Sequence, residues 1–233
     1  MQREISAIIA GATGLVGNEL LHLLLGHDAM AKVYALTRTA LPYRSKNLVQ
    51  IVHPELRVTE WEDTDPVPEL GFICLGTTKK SAGGKAGLEA VDVELVKSVA
   101  RSMRQLGVEH LVVISSLGAT PNSPSFYLRC KAKMEQALSE MGFSHCIFVR
   151  PGPLSGERSE SRQDEVLLQK GLELAQPLLV GPLSHLVPIP AEEVALTMLN
   201  LAMKALELPP GSAEIYSGNA LRRQCAETQH PQT

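Results

Sequence analysis

The 233-residue sequence has no surplus of positive charge: Lys plus Arg is 22 and Asp plus Glu is 25, a net charge of −3. A chain that neutralises a row of phosphates needs a basic excess, so a nucleic-acid partner is excluded. Cysteines are few, and Cys74, Cys130, Cys146 and Cys225 include no Cys-x-x-Cys pair and no histidine at zinc-ligand spacing. They read as reduced thiols, with Cys74 and Cys146 in buried strands. The seven histidines are scattered, so no metal is expected, and His22 and His145 read as packed or surface residues. No apolar run approaches the ~18 residues of a membrane helix. The opening Met1-Gln2-Arg3-Glu4 lacks the basic stretch and long apolar run of a secretory signal. These absences lead to the expectation of a cytoplasmic protein with no membrane partner. Internal repeats and low-complexity tracts are missing too.

The remainder is ordinary globular chain, 44% hydrophobic and 20% charged, which excludes wholesale disorder. Short apolar runs alternate with longer amphipathic stretches. The pattern predicts strands at Ile5 to Ala10, Val33 to Thr37, Leu48 to Val52, Phe72 to Leu75, His110 to Ser115 and Cys146 to Val149. Helices are predicted over Leu15 to Leu25, Leu88 to Leu106 and Ser125 to Met141, stopped by Gly26, Gly107 and Gly142. Strands alternating with helices imply an α/β fold, a doubly wound parallel sheet of the Rossmann type. After Arg150 the texture becomes polar over Glu157 to Glu165. A helix is allowed over Val166 to Ala175, another opens at Pro190-Ala191-Glu192-Glu193, and a last strand is expected near Glu214 to Tyr216. The expected organisation is one domain over residues 1–225, with 151–225 as a small C-terminal lobe and 226–233 as a frayed tail.

Doubly wound sheets bind ligands outside the carboxyl ends of their strands. Directly after the first strand stands Gly11-Ala12-Thr13-Gly14-Leu15-Val16-Gly17. One glycine permits the tight turn, a second lets a pyrophosphate approach, and a third lets helix pack on strand. The helix N-terminus then offers free N–H groups and a positive dipole. The second strand ends Thr37-Arg38-Thr39, without the acid that binds the ribose hydroxyls of NAD. Arg38 can pair with a 2′-phosphate, which argues for NADP. Leu75-Gly76-Thr77 follows the fourth strand and allows close approach of backbone to the same cofactor. Tyr127 and Lys131 lie one helical turn apart, and an ammonium beside a phenol favours the phenolate, as a general acid or base requires. Ser115 and Ser116 end the fifth strand, where either hydroxyl can meet a substrate oxygen.

The glycine turn, Ser115-Ser116 and Tyr127-x-x-x-Lys131 in this order resemble the short-chain dehydrogenase/reductase superfamily. Phe72-Ile-Cys-Leu-Gly-Thr-Thr, Val91-Asp92, Ser115-Ser-Leu-Gly-Ala119 and Arg150-Pro-Gly-Pro-Leu154, with Arg158 and Glu160-Ser161-Arg162, narrow the resemblance. They are similar to the atypical, Tat-interacting-protein-like members. That resemblance implies a Rossmann fold, NADPH, and cofactor contacts from Leu154 and Arg162. It also implies a homodimer through the exposed faces of the two long helices. Thr39 stands where the family often carries a second basic residue.

The function expected is an NADPH-dependent reductase of a small carbonyl compound, with Tyr127 as acid, Lys131 as its partner and Ser115 or Ser116 orienting the carbonyl. The apolar run from Pro177 to Pro190 suggests a small pocket. An alternative is an NADPH-bound regulatory module whose 157–165 surface meets a protein partner. A sugar-nucleotide epimerase or dehydratase ranks lower, because only about 80 residues follow the sixth strand. Lys79-Lys80 beside Gly83-Gly84 reads as a solvated loop or a lid.

Overall fold

The structure is a computed structural model that describes residues 4–42, 44–77, 81–155 and 187–229. The main sheet is built from β1 (Ile5–Ala10), β2 (Met30–Thr37), β3 (Leu48–Val52), β4 (Leu70–Ile73), β5 (His110–Ile114), β6 (His145–Arg150) and β9 (Glu214–Ser217). Its seven strands are ordered β3-β2-β1-β4-β5-β6-β9, and every pairing is parallel. This is a Rossmann fold. The order reverses between β1 and β4, and that switch point opens a crevice at the carboxyl ends of both strands. Two short strands, β7 (Leu154–Ser155) and β8 (Ile189–Pro190), pair separately.

All six residues of β1 are buried, because the sheet is covered on both faces. Alternation sorts them. Ile9 joins the core that contains Leu20 and Leu24 of α1 (Leu15–Gly26) and Met198 of α5 (Ala191–Ala205). Ile8 joins the opposite core with Val99 and Met103 of α3 (Val96–Leu106) and Met134 of α4 (Phe126–Ser139). Fully burying one such leucine or isoleucine contributes roughly 1.5–3 kcal/mol, and truncating Leu24 to alanine would cost about 2–5 kcal/mol.

Several expected boundaries shift for identifiable reasons. Gly107 (φ +116°) and Gly142 (φ +74°) both adopt the left-handed conformation; Gly107 caps its helix, whereas the helix before Gly142 already ends at Ser139, capped by Glu140. Gly26 does not adopt that conformation: it is the last residue of α1, and His27 caps the end in an extended conformation. Strand β4 ends at Ile73, two residues early, although Cys74 N–H still donates to Ala10 O at 2.8 Å. The chain turns there toward the glycine loop. The helix expected over 88–106 begins at Lys85 as α2 (Lys85–Glu89), passes through a π-turn (Ala90–Leu95) and continues as α3. π-turns inside helices recur at functional sites.

Chain beyond Arg150 also builds this sandwich. Strand β9 lies against β6, close to its expected place. Helix α5 opens after Pro190 with Glu192 and Glu193 in its first turn and Lys204 in its last, in accord with the helix dipole. Helix α6 (Gly218–Gln229) runs beyond Ala226, where a frayed tail was expected. Leu221 and Cys225, one turn apart, are 1% and 5% exposed and hold it down. At the sheet's amino-terminal edge His110 and His145 are register partners, with Nδ1 atoms 3.0 Å apart; His145 is buried as expected. Helix Val166 to Ala175, the 157–165 surface, most of the 177–190 wall, Lys79-Lys80 and residues 230–233 lie outside the described residues.

Candidate cofactor and catalytic site

The turn after β1 is tightly built. Gly11 has φ +91°, and a Cβ there would lie 2.6 Å from Cys74 O. Gly17 is buried on α1, and its Cβ would lie 2.0 Å from Gly11 O, so helix and turn meet backbone to backbone. Gly14 differs. Its φ is −80°, and its Cβ would have Gly11 O at 3.4 Å and Cys74 O at 3.7 Å as nearest neighbours. Nothing in the chain itself requires glycine at 14; the cradle is left open by its missing side chain. Gly14 N–H closes the turn on Gly11 O at 3.0 Å. Helix α1 carries no side-chain cap and no acid in its first turn, so the amides around Leu15 and Val16 face the crevice uncompensated. Thr13 is exposed beside them. These features fit a diphosphate.

Ala10 pairs with Leu36, which brings the end of β2 beside this turn. Thr37 is 4% exposed, and its hydroxyl has no hydrogen-bond partner. Arg38 is exposed and forms no ion pair among the described residues.

Beyond β4, Leu75, Gly76 and Thr77 lie over a buried ion pair. Lys131 Nζ is 2.8 Å from Asp92 Oδ1, and the two side chains are 2% and 0% exposed. That oxygen has no well-aligned hydrogen bond, so the contact is chiefly ionic. The other carboxylate oxygen accepts the Thr77 N–H at 3.1 Å, and Nζ also donates to Leu75 O at 3.4 Å. A Cβ on Gly76 would sit 3.4 Å from Asp92 Oδ1 and 3.5 Å from Lys131 Nζ, so the bare loop rests directly on the pair. Burial alone would push the Lys131 pKa down. Tyr127 and Asp92 outweigh it and hold the pKa above the ordinary lysine value. Asp92 lies within the π-turn and is buried there.

Tyr127 is half-buried, with its ring centroid 5.8 Å from Lys131 Nζ, and its hydroxyl makes no hydrogen bond among the described residues. The two serines, equivalent in sequence, separate in the structure. Ser115 is 5% exposed, and its hydroxyl has no hydrogen-bond partner. Ser116 is half-buried, with its carbonyl taken by the Ala119 N–H. Leu154 is half-buried in β7, paired with Ile189. Arg162 lies outside the described residues.

Asp92 stands in the Val91-Asp92 string of the family resemblance, where the motif by itself gives it no role in the site. Its signal is an acid at 92 between Leu88 and Val96, spaced by four on the buried face of the helix, both 1% exposed. A charge on an apolar stripe needs a buried partner.

A sequence profile described as NAD(P)H-binding matches residues 11–201, a span that opens on the glycine turn. The chain belongs to this NAD(P)H-binding family. Protein fmp52-1, mitochondrial, of Aspergillus terreus is 31% identical over 223 residues, covering 91% of this chain and 94% of its own. Protein FMP52, mitochondrial, of Saccharomyces cerevisiae is 33% identical over 161 residues, covering 68% and 69%. Among solved structures, a short-chain dehydrogenase/reductase of Saccharomyces cerevisiae superposes with a TM-score of 0.64 at 15% identity, over 94% of this chain and 98% of that one. That likeness shows the fold. An oxidoreductase-like NAD(P)H-binding fold is thereby established.

The relatives' names overturn the expectation of a cytoplasmic protein. That expectation rested on a missing secretory signal and a missing membrane helix, and neither separates a cytosolic chain from one imported into an organelle. Among the described residues, no helix is long and apolar enough to cross a membrane.

Proposed function

We propose that this protein is an NADPH-dependent oxidoreductase that reduces a small carbonyl compound. The observation that carries the reading is the buried Lys131–Asp92 pair beneath Tyr127, at the crevice that the glycine turn opens. A bare structural helix has no use for an ammonium at 2% exposure that stays charged beside a half-buried phenol. The nicotinamide supplies the hydride when bound. Tyr127 hands its hydroxyl proton to the carbonyl oxygen, which becomes the product's hydroxyl. Lys131, held by Asp92 and Leu75 O, keeps a fixed positive charge next to the phenolate that remains. The unpartnered Ser115 hydroxyl donates to the same oxygen and fixes its direction; Ser116 has the weaker claim. Arg38, with no carboxylate beside it at the end of β2, favours the 2′-phosphate of NADPH over the bare ribose of NADH.

The test has two steps. NADPH and NADH titrations, followed by cofactor fluorescence, should show tighter NADPH binding, and Arg38→Ala should narrow the gap. Equal affinities in the wild type would refute the cofactor preference. Once a carbonyl substrate is found by NADPH absorbance, Tyr127→Phe should bind cofactor normally and lose turnover. Wild-type turnover in that variant would sink the acid assignment.

A further inference from the structure

We propose that Glu135 and Arg150 are a positioning pair for this site, a role that rests on the oxidoreductase reading above. Tyr127, Lys131 and Glu135 follow one another at intervals of four along α4 and share one face. Glu135 is the second acid flanking Lys131, and its carboxylate adds to the field that keeps the ammonium protonated. Its own partner is Arg150, the last residue of β6. The guanidinium meets the carboxylate through two contacts, Nε to Oε1 at 2.8 Å and Nη2 to Oε2, with side chains 18% and 7% exposed. The charges therefore alternate from the π-turn to the sheet: Asp92, Lys131, Glu135, Arg150. A planar fork of this kind fixes direction as well as distance.

What the fork fixes is the exit of β6. Val149 O accepts the Ser115 N–H at 2.7 Å, Pro151 O accepts the Leu117 N–H at 2.9 Å, and Pro153 O accepts the Ile189 N–H at 2.9 Å. Pro151 and Pro153 restrict the backbone between these bonds. The strand ends that carry Ser115 and Leu154 are thus tied to Arg150, and Arg150 is tied to the helix that carries Tyr127 and Lys131. The pair sets the spacing between the serine and the phenol without touching either. Misplacement of reacting groups by about 1 Å can cost on the order of a hundredfold in rate.

The experiment uses the full chain with 15N-labelled lysine and observes the Lys131 side-chain ammonium by NMR, identified by its loss in Lys131→Arg. In Glu135→Gln, which keeps the shape, the ammonium protons should exchange with water about tenfold faster, and turnover should fall about tenfold or more, with KM held within about twofold. The turnover probe is 9,10-phenanthrenequinone with NADPH. Arg150→Lys retains the charge without the fork; it should leave the Lys131 signal in place and still lower turnover. If both variants match the wild type in exchange and turnover and lose only thermal stability, the pair is a structural clamp and the proposal is overturned. Should Glu135→Gln fail to fold, Arg150→Lys decides alone, because wild-type turnover there overturns the proposal. A wild-type protein that neither binds NADPH nor reduces the quinone overturns the oxidoreductase reading instead, and a faster Lys131 exchange in Glu135→Gln would then be the coupling surviving without it.

Discussion

Gly14→Ala separates cofactor binding from folding more cleanly than any other change in the glycine turn. At φ −80° alanine is unstrained, and its Cβ would meet only Gly11 O at 3.4 Å and Cys74 O at 3.7 Å. The fold should tolerate it within about 0.5 kcal/mol, or gain slightly from the stiffer unfolded chain. For a chain of this length about 1 kcal/mol moves Tm by roughly 2–4 °C, so the apo melting point should shift by no more than about 2 °C. The methyl group stands where a phosphate must approach the turn, and overpacking of this kind costs roughly 1–3 kcal/mol. NADPH affinity should therefore fall by about 5- to 150-fold. Gly17→Ala is the contrast. Its Cβ would lie 2.0 Å from Gly11 O, a backbone atom that cannot swing aside, so the melting point should fall before any binding is measured. Thermal melts without cofactor and fluorescence titrations with it, run on both variants, read the two effects independently. A folded Gly14→Ala protein with wild-type NADPH affinity would refute the cradle.

Other consequences follow from the buried charges and thiols. Lys131→Met leaves Asp92 charged at 0% exposure and should cost about 3–5 kcal/mol in urea unfolding, while the double variant with Asp92→Asn should recover part of it; a double variant less stable than both singles would count against a coupled pair. Burial pushes the Cys146 thiol, and the Cys74 thiol despite the field of Lys131, up to about 12. At pH 8 only about one in ten thousand of each is thiolate, and native protein should react with a disulfide reagent orders of magnitude more slowly than urea-unfolded protein. Tyr34 and Tyr216 are raised to about 12 as well, by burial first and then by Asp65 and Glu214 respectively. All these groups hold their protons more tightly folded than unfolded, as does Lys131. Their contribution is complete below the unfolded values, about 9 for the thiols and about 10 for the phenols, and is lost as pH rises toward 12. Unfolding free energy should be flat to about pH 9 and decline above it; a rise across that range would reverse the sign of the argument.

Much of the fold was legible because its causes are local. An apolar hexapeptide between polar flanks is a doubly covered strand wherever it sits, as Ile5 to Ala10 is. The turn at Gly11 needs a left-handed glycine whatever surrounds it, and a tyrosine four residues before a lysine shares its helix face by geometry alone. The absence of an acid after β2 was equally plain in the letters. What the sequence left open depended on residues distant along the chain. Ser115 and Ser116 are interchangeable until β6 buries one of them. Asp92 gains its meaning from Lys131, 39 positions on, and Glu135 from Arg150 across the gap between helix and sheet. Those pairings exist only once the sheet has closed and water has been removed from between the helices, because burial is what turns an ordinary surface charge into one that must find its partner.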